Sequence, residues 1–156
     1  MIELGDVSDE VRQKNKELIE KYPFLLPRNS WTGKALEDFD YEYTELDNMP
    51  AGWRKAFGEQ MCEEIKEALV KADLLYEYRI EDIKEKFGAL RWYDFGATEE
   101  VFEIICKYED ISARTCIGCG KPATRITTGW ILPYCDECIS KISTQNSVPI
   151  EDFNFF

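Results

Sequence analysis

Six cysteines and the complete absence of histidine set the chemistry this chain can do. Four of the cysteines form two C-x-x-C pairs, Cys116-Ile117-Gly118-Cys119 and Cys135-Asp136-Glu137-Cys138, with fifteen residues between Cys119 and Cys135. Two such pairs at this separation are a strong zinc signature. Two intervening residues let both thiolates reach one ion across a tight turn, and Gly118 and Gly120 permit that turn. A metal ion favours the thiolate over the thiol. Four sulfurs complete a tetrahedron and leave no position open for substrate. One structural zinc ion on Cys116, Cys119, Cys135 and Cys138 is therefore expected. Two disulfides or a redox-active pair are the other readings of the same cysteines, and a reducing compartment disfavours both.

The lack of histidine removes the Ser–His, Cys–His and His–metal mechanisms together. Cys62 and Cys106 stand alone with no imidazole to activate them, so inert packing roles are expected. Asp73 with Asp82-Ile83-Lys84 loosely matches an Asp…Asp-x-Lys nuclease site. There carboxylates would hold magnesium and the lysine would steady the attacking water. Short matches of this kind arise easily in a chain with 31 acids.

Charge narrows the partners. The 156 residues hold 31 acids and 19 bases, a net charge of -12. Such a surface repels phosphate and disfavours direct nucleic-acid binding and anionic membranes. No apolar run approaches the ~20 residues that span a bilayer, and the opening residues lack a secretory pattern. A cytoplasmic location is expected. In residues 113–156, Asp136, Glu137, Glu151 and Asp152 balance Arg114, Lys121, Arg125 and Lys141, so the whole excess lies in residues 1–112. Glu37, Asp38, Asp40, Glu42, Glu45 and Asp47 follow one another with no base between them. Phe39, Tyr41 and Tyr43 alternate with Asp40 and Glu42, which predicts an extended segment. It reads as an edge strand protected by charge or as an acidic strip that docks a protein partner. Clustered carboxylates can also imitate phosphate spacing, which would make the chain a nucleic-acid mimic that blocks a host enzyme. Lys121, Arg125, Arg114 and Lys141 beside Trp130 and Tyr134 offer a weaker route to nucleic acid, with few charges for counterion release.

The elements that must position these residues are legible in outline. A helix is expected over about 8–21, capped by Ser8 with Asp9 and Glu10 in its first turn. Pro23 ends it. The strongest helix runs over about 50–72, with Trp53, Phe57, Met61, Ile65 and Leu69 as its core stripe and a kink available at Gly58. Alternation over 76–95 predicts an antiparallel hairpin, bulged near Asp82-Ile83. A third helix spans about 99–111, capped by Thr98. The class is thus α+β, with three helices around a small antiparallel sheet in an acidic body, residues 1–112. The zinc module, residues 113–143, reads as a knuckle, a hairpin turning near Gly129, and a short helix carrying the second cysteine pair. That order suits a treble clef, with a zinc ribbon as the alternative. Trp130, Pro133 and Tyr134 are expected to pack the module on the body. A tail, 144–156, carries Phe153, Phe155 and Phe156, which dock on the body or on a partner.

The set Ile83-Lys84-Glu85-Lys86-Phe87-Gly88-Ala89-Leu90-Arg91-Trp92-Tyr93, Cys116-Ile117-Gly118-Cys119-Gly120-Lys121-Pro122, Gly129-Trp130, and Cys135 with Cys138 resembles a group of short zinc-binding proteins encoded by bacteriophages and prophages. The resemblance covers roughly residues 50–140. It implies an accessory role in the bacterial cytoplasm and brings no catalytic residue with it. A non-enzymatic protein that binds a host or phage protein is the expectation; the mimic, the nucleic-acid binder and the nuclease are its alternatives.

Overall fold

A computed structural model describes residues 7–29, 31–142 and 146–153. Phe155 and Phe156 of the expected tail lie outside the described residues, as does the opening hexapeptide.

Helix α1 (Asp9–Lys21) begins where Ser8 Oγ accepts from Val11 N at 3.2 Å. Its buried positions are Asn15 and Ile19, and Asn15 Nδ2 donates to Tyr41 O at 2.8 Å. Pro23 opens a short 3-10 turn that buries Phe24 and Leu25.

The expected helix over 50–72 forms as three pieces: α2 (Ala51–Trp53), a π-turn (Arg54–Gly58) and α3 (Glu59–Lys71). The spacing of its stripe explains the break. Apolar residues at every fourth position outrun a 3.6-residue turn by about 40° per step. A π-turn, bonded i→i+5, takes up part of that drift. Trp53, Phe57, Met61, Ile65 and Leu69 all stay in the core as a result. The body therefore holds four α-helices among the described residues, besides the π-turn and two 3-10 turns, where three helices were expected.

Strands β1 (Arg79–Lys86) and β2 (Ala89–Phe95) pair antiparallel, with the register shift between Ile80 and Asp82, close to the expected bulge. Ile83, Leu90 and Trp92 face the core. The exposed edge of β2 is covered by α4 (Glu99–Ser112), itself capped by Thr98. Leu90 N donates to Ser112 Oγ at 2.7 Å and Trp92 N to Glu109 at 3.4 Å, which blocks strand addition there. The hairpin turn is unusual. Phe87 has φ +53° and Gly88 φ +81°, the pattern of a type I′ turn, which favours asparagine and not phenylalanine at its first central position. Phe87→Asn is expected to raise stability by about 1 kcal/mol, given the penalty for a bulky left-handed residue. Urea unfolding followed by tryptophan fluorescence checks this.

The module adds β3 (Arg125–Thr127), β4 (Pro133–Tyr134) and α5 (Asp136–Ile139), and β5 (Ser147–Pro149), which belongs to the expected tail, pairs with β3 so that the strand order is β4-β3-β5. Strand β5 was not foreseen, because three residues are too few to show a period.

The acidic stretch corrects the sequence reading. No strand forms over 37–47. Asp38 and Tyr41 take φ of +55° and +65°, which folds the chain back on itself. Phe39 then packs on Tyr41 and Tyr43, with ring centroids 5.2 and 5.6 Å apart. A 3-10 turn, Glu45–Asn48, closes the segment. Local aromatic clustering outcompetes the extended form that alternation alone favours.

Candidate metal centre

Cys116 and Cys119 sit on a knuckle. Gly120 N donates to Cys116 O at 3.0 Å and Cys116 N to Lys121 O at 2.7 Å, which closes the loop. Gly120 makes the turn with φ +88°. A side chain there would also meet Gly52 O at 2.7 Å, so both its conformation and its surroundings require glycine. Cys135 is the N-cap of α5, its Sγ accepting from Cys138 N at 3.4 Å, so the second pair opens a helix. Ile117 N donates to Pro133 O at 3.0 Å and ties the knuckle to β4.

This scaffold brings the four thiols together. The Sγ atoms of Cys116, Cys119, Cys135 and Cys138 lie within 4.8 Å of one another, a group that can hold a metal ion. It is the only such group of three or more ligating side chains among the described residues. A tetrahedron of sulfurs ~2.3 Å from its centre has edges of about 3.8 Å, so the spacing suits a single ion. The Cys119–Cys135 Sγ separation of 3.5 Å is far beyond a bonded ~2.05 Å, and all six cysteines are free.

Electrostatics point the same way. Burial works against ionisation of Cys116, but backbone N–H groups of Cys135, Cys119 and Gly118 outweigh it and lower the thiol to about 7. Burial and hydrogen bonds from the neighbouring sulfurs push Cys138 up to about 12. Four thiolates this close repel one another unless a cation joins them.

Contact with the body is made by Gly52, which the sequence does not single out, and by Trp53, whose sequence position marks it only as a core residue. Gly52 N donates to Ile117 O at 3.0 Å and Trp53 Nε1 donates to Thr115 O at 2.9 Å. A Cβ at Gly52 would lie 2.4 Å from Cys116 O, so the first turn of the helix needs glycine to approach the knuckle. Nothing in a Gly-Trp pair announces such a contact. Pro133 is buried, with Ile117 and Ile126 of the module as partners, and Trp130 is not an anchor: it is 66% exposed and touches the body through Glu85 at 3.2 Å.

The remaining candidate residues do not assemble. Asp47 is engaged in a capping box with Thr44 and an ion pair with Arg54 at 3.3 Å. Glu45 accepts from Asn48 at 3.2 Å and Asp40 pairs with Arg12 at 3.5 Å. Glu37, Asp38 and Glu42 are exposed. In the module, Lys121 pairs with Glu137 at 3.1 Å and Arg125 holds Ser147 at 2.8 and 2.9 Å. Asp82 pairs with Lys84 at 3.7 Å, and Asp73 joins it in no cluster of metal ligands among the described residues. Cys62 is wholly buried and burial pushes its thiol up, away from reactivity, whereas Cys106 is only half-buried.

Inside the body, Trp92 Nε1 donates to Tyr78 OH at 2.8 Å, and Tyr78 OH donates to Asp94 Oδ2 at 2.6 Å. Burial raises Asp94 above its ordinary 3.8, and it raises Glu45 and Glu109 above 4.5. A raised carboxyl keeps its proton longer in the folded state than in the unfolded chain. Its contribution to stability falls as pH rises through the window above those values and is regained on acidification. Lowering the pH to about 5 is thus expected to leave the body's urea midpoint unchanged or higher, in contrast to ordinary acid unfolding. Tryptophan fluorescence reads the outcome.

No protein-family model, curated protein or solved structure matches the chain. No helix among the described residues is long and apolar enough to cross a membrane.

Proposed function

We propose that the chain is a non-enzymatic accessory protein of the phage type, made rigid by one structural zinc ion, that acts by holding a host or phage protein in the bacterial cytoplasm. The closed set of four cysteine sulfurs carries this reading. It fits zinc, which favours thiolate donors in a tetrahedron, and it leaves no coordination position for a substrate. Without histidine, the chain has no ordinary neutral-pH base to place beside the ion. The order of knuckle, hairpin and helix start supports a treble clef over a ribbon.

The partner is tested with tagged protein in bacterial lysate. The expected result is one protein retained in stoichiometric amount, identified by mass spectrometry and bound again when both components are purified. Loss of that complex on chelation is expected as well. Failure to reconstitute any complex from purified components would contradict the reading.

A further inference from the structure

On the outer face of the β1–β2 hairpin the cations Arg79, Lys84, Lys86 and Arg91 outnumber the acids Glu81 and Asp82, the reverse of the molecule as a whole. Pairing places Arg79 beside Phe95, Asp82 beside Tyr93 and Lys84 beside Arg91, with Lys86 next to the turn. Arg79 lies over the Phe95 ring at 4.5 Å, Lys84 over Tyr93 at 5.5 Å and Lys86 over Phe87 at 5.8 Å. The rings remain accessible: Phe95 is 56% exposed, Tyr93 40% and Phe87 72%. Beyond the turn, Trp130 joins Phe87 across an apolar cleft of 360 Å³ lined by Glu85, Lys86, Phe87, Gly129, Trp130 and Ile131. At the opposite end, Gly33 sits against the Arg79 guanidinium, and Trp31 in the same loop is 94% exposed.

From these rings and cations we infer that the hairpin face binds single-stranded nucleic acid, with unpaired bases stacked on Phe95, Tyr93 and Phe87. Arg79, Lys84, Arg91 and Lys86 take the phosphates. Stacking aromatics beside a basic track is the usual chemistry of sequence-tolerant single-strand binding. Duplex bases are already stacked and offer no faces to these rings. The four basic side chains share this face with Asp82, which pairs with Lys84 at 3.7 Å, and a Debye length of ~10 Å screens them from most of the distant acids. An acidic polypeptide would satisfy the cations but would leave the rings unused. The strained, exposed Phe87 also has a use on this account, since an unfavourable φ at a surface tip yields no packing. The inference does not depend on the protein partner proposed above.

The test is fluorescence anisotropy of labelled oligothymidylate, about twelve nucleotides long, with the purified zinc-loaded protein. Binding at low salt is expected, with log K falling against log salt with a slope of about -3 for four phosphate contacts. Tyr93→Ala and Phe95→Ala should each weaken binding about tenfold or more, and Lys84→Glu with Lys86→Glu should abolish it. Phe87→Asn should weaken binding while the hairpin becomes no less stable, an outcome that a merely structural role would not give. Lys121→Ala should change nothing. No binding at low salt would overturn the proposal. So would equal affinity for duplex, or polyglutamate displacing the oligonucleotide with the aromatic replacements indifferent, the last being the result for an acidic protein partner.

Discussion

Replacing Cys119 or Cys138 by serine is expected to unfold the C-terminal module outright. Its own core is small: the buried side chains are Thr115, Cys116, Ile126, Thr127, Pro133 and Cys135, and two of these are candidate metal ligands. Three strands of two or three residues each cannot stand without further support. On the proposed reading a zinc ion supplies most of the folding free energy, on the order of 10–16 kcal/mol for structural zinc sites at neutral pH. No rearrangement of four short elements recovers that amount. Backbone amide resonances of residues 113–142 should collapse to unfolded positions in either variant, and chelator should do the same to the native chain. Body resonances far from the interface, as in α1, should persist. A module that stays folded in Cys119→Ser would refute the structural role of the ion.

The second large effect is expected at Trp53. Its side chain has no exposed surface and its indole N–H bonds Thr115 O at 2.9 Å. Trp53→Ala removes a large side chain from the centre of the body and leaves a buried carbonyl without a donor. Large-to-small changes at such a site cost about 3–5 kcal/mol, a large share of the 5–15 kcal/mol typical of a domain. Trp53→Phe separates the two contributions. It keeps most of the apolar volume and loses only the hydrogen bond, so about 1–3 kcal/mol is expected. Urea midpoints compare the two. Zinc release to a chromogenic chelator should be faster in Trp53→Phe than in the native chain, since Thr115 precedes the first ligand.

The cysteine spacing, the helix caps and the core stripe were readable because each depends on local geometry. Ser8 and Thr98 cap where their position before an acidic first turn places them. The stripe from Trp53 to Leu69 was evident, but its strict four-residue spacing also held the π-turn, and that consequence emerges only when the drift is counted. Residues 37–47 misled because alternation cannot distinguish a strand from a loop whose rings gather on one another. Gly52 was invisible because its role is set by a loop sixty residues later in the chain. The charge total carries no information on where charge lies. It averages over a surface that the fold sorts, and the basic, aromatic face of the hairpin follows from register and a bulge that composition does not contain.

The most direct measurement is native mass spectrometry of the purified chain, with zinc quantified by atomic emission. The account predicts one zinc per chain, lost together with the module's folded signature in Cys116→Ser and retained in Cys62→Ser. A chain that carries no metal, or that carries two intramolecular disulfides among Cys116, Cys119, Cys135 and Cys138, would contradict it.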